Sequence, residues 1–143
     1  MTQIIVPDEP LDIWLSELKP YQRNTLQQFM QAMDAEQAAE RWLTTIGSPN
    51  IAGFGGKALQ DSKPYWAKFK TECHKFLCDE EAYADDKKAI LAEMPISKPL
   101  LISAMSGAIG AYLGTAGTLV APAITLVLFT VGRLGLNAYC AKG

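Results

Sequence analysis

Apolar residues recur at helical spacing through most of residues 11–94, and from Pro99 to Gly132 charged residues disappear altogether. Leu11, Trp14, Leu15 and Leu18 stand three and four apart and predict a short helix over 11–18. Pro7 and Pro10 keep the chain before it extended. Pro20 suits the first turn of a second helix, where a missing N–H costs little, and Leu26, Phe29, Met30 and Met33 form that helix's apolar face. Asp34 followed three residues later by Gln37 is a capping box, predicting a third helix that carries Trp42, Leu43 and Ile46 up to Gly47. Met33–Asp34 holds no true breaker, so one long helix from Pro20 is the competing expectation.

Gly47–Gly56 is the clearest loop. Beyond it, Ser62 can cap a fourth helix with Pro64 in its first turn. Tyr65, Trp66, Phe69, Cys73, Phe76 and Leu77 share its predicted buried side, and Lys63, Lys68, Lys70 and Lys75 mostly face water. Asp79 is placed to cap a fifth helix, with Glu80 and Glu81 favourable against its dipole, ending near Met94 before Pro95. No internal repeat and no convincing strand alternation interrupts this pattern. The expectation is an all-α fold: a bundle of four to five short helices over 1–95, then an apolar, glycine-rich helical hairpin over 96–143.

The hairpin follows from length and from where the small residues fall. A single helix over the 34 residues from Pro99 to Gly132 would extend about 51 Å, well beyond a hydrocarbon core of about 30 Å. Two helices fit better: Ser97 to about Gly114, a turn around Thr115–Thr118, and Ala121 to about Tyr139, with Pro122 in the first turn of the second. At 100° per residue, Gly107, Gly110, Gly114, Gly117 and Ala121 all project within about 40° of Ser103. Leu101, Ile102, Met105, Ile109, Tyr112 and Leu113 take the other side. Interior glycines weaken a helix in water by about 1 kcal/mol each, so such a stripe implies close approach of another backbone. Gly110-x-x-x-Gly114 is the minimal form of that pattern in membrane helices. Ser103, Gly107, Gly110, Gly114, Gly117 and Ala121 are therefore the candidate packing and self-association residues.

Charge sharpens the division. All fifteen acidic residues lie between Asp8 and Glu93, whereas the last 49 residues keep only Lys98, Arg133 and Lys142. That asymmetry predicts two segments with different surroundings, and it places those three cations at a membrane interface. Both ends of the hairpin would then lie on one side, with residues 1–95 cytoplasmic and the hairpin in the inner membrane. The first helix is diluted by Gly, Ser and Ala, and Arg133 comes early, leaving only 14 uncharged residues from Leu119 to Gly132, so both spans are thin. A hairpin buried in a soluble cytoplasmic assembly is the alternative. The N-terminus lacks a basic start followed by an apolar run, so no signal peptide is expected. Cys73, Cys78 and Cys140 are odd in number, match no disulfide framework, and suit a reducing compartment.

Candidate chemistry is sparse. Cys73 and Cys78 lie about 140° apart on their helix, which suits neither a disulfide nor two ligands of one ion, and His74 is the sole histidine. The Gly53–Gly56 loop lacks the GxxxxGK[ST] pattern of a phosphate-binding loop. Asp79, Glu80, Glu81, Asp85 and Asp86 lack the glycine turn and terminal glutamate of a calcium loop. Trp14, Trp42 and Trp66 come one per predicted helix, as a small core needs. No face gathers enough Lys and Arg for nucleic acid. The expectation is a non-enzymatic protein with no metal, cofactor or catalytic residue. It would be an oligomerising membrane effector or pore-forming subunit that associates with lipid and with itself. The alternative is an interaction or adaptor subunit whose N-terminal domain takes a protein partner. An apolar hairpin after amphipathic helices resembles the layout of bacterial pore-forming toxins, in architecture alone, with no shared motif.

Overall fold

In a computed structural model of the chain, residues 6–46, 62–79, 81–91, 97–114 and 116–142 are described. Among them are eight α-helices and no strand. They are α1 (Leu11–Leu15), α2 (Pro20–Phe29), α3 (Ala35–Arg41), α4 (Ser62–Cys78), α5 (Ala84–Leu91), α6 (Lys98–Leu113), α7 (Gly117–Leu134) and α8 (Leu136–Lys142), with α3 running on as a π-helical turn, Trp42–Ile46. The all-α expectation holds. Residues 47–61 and 92–96, with the Gly53–Gly56 loop and the predicted end near Met94, lie outside the described residues.

Local signals account for most element starts. Pro20 occupies the first position of α2. Asp34 accepts from the Gln37 amide at 2.9 Å and Gln37 Oε1 accepts from the Asp34 amide at 3.1 Å, so the capping box separates α2 from α3. Ser97 Oγ accepts from the Leu100 amide at the start of α6, and Gly114, in the left-handed region at φ 77°, ends it. Asp79 behaves differently from its expected role. Its Oδ1 accepts from the Glu81 and Ala82 amides, which stabilises a turn, and α5 begins only at Ala84. Tyr83 closes that turn at φ 55°, an unfavourable region for a bulky side chain. Its hydroxyl donates to buried Glu72 at 2.5 Å and its ring meets Phe76, and these contacts hold the conformation.

Helix α7 is the axis of the fold: α1, α2, α3, the π-helical turn, α6 and α8 all pack against it. One hydrophobic cluster runs from Trp14, Leu15 and Leu26 through Trp42, Phe69 and Phe76 to Leu101, Met105, Ile109, Ile124 and Leu128. The large side chains of α6, namely Leu101, Ile102, Met105 and Ile109, point into it, whereas Tyr112 from the same predicted face is exposed. Helix α7 starts four residues earlier than expected and stops at Gly135, so Pro122 falls inside the helix instead of in its first turn. Proline offers no N–H to the carbonyl four residues back, which here is that of Thr118. Buried Gln22 supplies the missing donor, Nε2 to Thr118 O at 3.0 Å, while its Oε1 accepts from the Lys19 amide. Trp42 Nε1 donates to the neighbouring Leu119 carbonyl at 2.7 Å. The N-terminal helices thus grip the first turn of α7 with two long-range hydrogen bonds.

Candidate functional site

The small-residue stripe is divided between elements. Ser103 and Gly107 are exposed on α6, Gly110 is buried on α6, Gly114 is the left-handed cap, and Gly117 and Ala121 stand at the start of α7. Part of the close approach it predicted occurs within the chain. A Cβ on Gly117 would lie 3.2 Å from the Ser106 carbonyl oxygen and 3.3 Å from Gly107 Cα, so the backbones of α6 and α7 meet there. The rest of the stripe is open: a Cβ on Gly107 would touch nothing within 4 Å. Ser103, Gly107, Gly117 and Ala121 line a groove of about 440 Å³, walled on its other side by Leu18, Lys19 and Gln22. Buried Ser106 also lines it, and its Oγ has no hydrogen-bond partner among the described residues.

The cations flanking the apolar helices meet carboxylates of the N-terminal segment. Lys98 Nζ lies 3.2 Å from Glu9 Oε1, and Arg133 Nε lies 3.7 Å from Asp8 Oδ1. The first turn of α6 and the last turn of α7 therefore come to the same short segment, at one end of the molecule. Gly132 permits this crossing: a Cβ there would fall 2.3 Å from the Pro7 carbonyl oxygen. The Arg133–Asp8 pair is exposed and contributes little stability; the Lys98–Glu9 pair is partly buried, and together they set charge and position. The Lys142 side chain lies outside the described residues.

The cysteines correct the sequence reading. Cys78 at the end of α4 and Cys140 on α8, 62 residues apart, form a disulfide with Cα atoms 5.6 Å apart. Cys73 and Cys78 do not pair with each other, as their separation on one helix requires, but Cys78 pairs across helices with Cys140. A partner on another helix is invisible to spacing, and an odd count does not forbid one bridge. Disulfides persist in oxidising compartments, so the three cysteines no longer argue for a reducing one. Cys73 is the free thiol, fully buried. Burial first, and the Glu72 carboxylate second, push its pKa well above the ordinary thiol range. His74 lies beside the bridge, its ring 5.4 Å from that of Tyr139 and its Nε2 3.4 Å from the Cys140 carbonyl oxygen. The Cys73, His74 and Cys78 cluster thus becomes an attachment point for the last helix.

Among the described residues, no three His, Cys, Asp or Glu side chains gather as a metal site would require. Among the same residues, α7 is the helix long and apolar enough to cross a membrane, with 44% of its residues buried in the fold. Helix α6, at 16 residues, is shorter. Compared with protein-family models, curated proteins and solved structures, the chain matches none.

Proposed function

We propose that this chain is a non-enzymatic helical protein that associates with membranes and assembles there with further copies of itself. The observation that carries the reading is α7: its 18 residues extend about 27 Å, close to a bilayer's hydrocarbon thickness. In the folded chain α1, α2, α3, α6 and α8 pack around it, and 44% of its residues are buried. Helices α6 and α7 would enter lipid as a pair, with residues 1–95 left in water as a separate unit. Their charged ends already share one side, which a two-helix insertion requires. The groove along Ser103, Gly107, Gly117 and Ala121 would receive a helix of a second copy, since small residues permit close backbone contact where lipid offers no hydrophobic drive. Lys98 and Arg133 favour the inner membrane with residues 1–95 toward the cytoplasm. The Cys78–Cys140 bridge favours the oxidising side instead, and the redox state of those thiols in cells decides between the two.

A second reading has its own support. The large side chains of α6 and much of α7 are already buried in the chain's own core, as in a soluble interaction subunit whose N-terminal helices hold a protein partner. Purification without detergent followed by dye release from anionic lipid vesicles separates the readings. Dye release that Gly107→Leu abolishes in a variant with unchanged thermal unfolding supports the membrane effector, because a Cβ at that position touches nothing within 4 Å in the monomer. A detergent-free protein that neither binds nor permeabilises vesicles sinks it.

A further inference from the structure

Helix α8 is a seven-residue element, and helices this short do not persist on their own. It follows Gly135, whose φ of 96° is open to glycine and strained for other residues, so the chain turns sharply between α7 and α8. Among its described side chains Leu136 and Tyr139 pack partly against the core, while Asn137, Ala138 and Ala141 are exposed. Between α3, α4 and α7, with Tyr139 of α8 as one wall, lies a small, mostly apolar cavity of about 70 Å³ whose inner lining includes Ala39, Trp66, Cys73 and Leu126 and whose rim carries Glu36 and Lys70. The covalent tie between this helix and the bundle is the Cys78–Cys140 bridge, and both cysteines are partly accessible to solvent.

We propose that the bridge is a redox latch: a dithiol reductant opens it, α8 swings away about Gly135 and takes Tyr139 with it, and the buried cavity wall at Leu126 and Cys73 is uncovered. One thiolate of the reductant attacks a bridge sulfur, forming a mixed disulfide and releasing the other cysteine as thiolate. The reductant's second thiol then displaces the remaining cysteine. The reductant ends as its own disulfide, two electrons pass to the protein, and Cys78 and Cys140 take up the two protons the dithiol gives up. The latch stands on the bridge and the sparse packing of α8. Its use in controlling membrane entry rests on the function proposed above.

The test uses the full chain, oxidised or treated with dithiothreitol. The oxidised form should show one titratable thiol after denaturation and the reduced form three. Hydrogen exchange across 136–142 should accelerate at least tenfold on reduction, and alkylation of Cys73, mapped by mass spectrometry, should rise with it. Protection of α2 and α3 should be unchanged. Cys140→Ser should match the reduced form without any reductant; should that variant not fold, the titration of the native chain gives the same comparison. Three thiols in protein purified under air, or equal exchange in both forms, would overturn the latch. Dye release from vesicles is read separately. Reduction that frees α8 without release counts against the membrane reading and leaves the latch standing, whereas equal release from both forms removes the latch from that control.

Discussion

Proline at position 122 leaves the Thr118 carbonyl without its helical donor, and the amide of Gln22, 96 residues away in sequence, takes that place at 3.0 Å. Replacing Gln22 by Ala removes this bond and the acceptor for the Lys19 amide. A net intramolecular hydrogen bond contributes about 1 kcal/mol, and a group left buried without a partner costs up to about 3 kcal/mol. Thr118 is exposed and borders the groove, so water reaches its carbonyl and the lower figure applies. With the capping bond included, Gln22→Ala should cost about 2 kcal/mol. In a Pro122→Ala background the new amide can bond to Thr118 within the helix, and the same substitution should cost about 1 kcal/mol. The coupling of about 1 kcal/mol is measurable by urea unfolding followed by far-ultraviolet circular dichroism, with about 3 °C expected in Tm for a chain of this size. Additivity of the two substitutions within about 0.4 kcal/mol would refute the substitution of one donor for the other.

Three more outcomes are expected. Asp34→Ala should lose about 1 kcal/mol, since the Gln37 amide loses its Oδ1 acceptor while the backbone amide of residue 34 can still donate to Gln37 Oε1, and thermal unfolding checks it. Gly132→Ala gains up to about 1 kcal/mol in helix propensity but sets a Cβ against the Pro7 carbonyl, an overpacking cost of about 1–3 kcal/mol. Residues 6–10 should lift away, visible as faster proteolysis ahead of α1, and unchanged cleavage would contradict the contact. The buried Cys73 thiol holds its proton more tightly when folded than when unfolded, so its contribution to stability is present below its ordinary value of 9.0 and declines as pH rises past it. Cys73→Ala should therefore flatten the alkaline loss of stability by up to about 1.4 kcal/mol per pH unit, and denaturant midpoints between pH 8 and 11 give the comparison.

Local signals on neighbouring residues were legible from sequence: the Asp34–Gln37 box, Pro20 at the head of α2, Ser97 and Gly114 bounding α6, and the buried side of α4 from Trp66 to Leu77. Each depends on interactions within one or two helical turns, which spacing encodes. The candidate site was legible only in part. Ser103 and Gly107 do border a groove, but Gly114 leaves the helix and Gly117 spends its missing side chain on α6 of the same chain. A helical wheel assigns faces without saying what each face meets.

What the sequence by itself determined is the helical class, the caps, and the charge-free segment that any surroundings must keep from water. Those follow from backbone geometry and from the transfer energy of side chains, which act locally. Tertiary structure alone decided that α7 sits at the centre, that Gln22 satisfies the carbonyl Pro122 leaves open, and that Cys78 finds Cys140. The last two join residues 96 and 62 positions apart. Such pairings depend on how helices pack in three dimensions, and no periodicity along the chain records that.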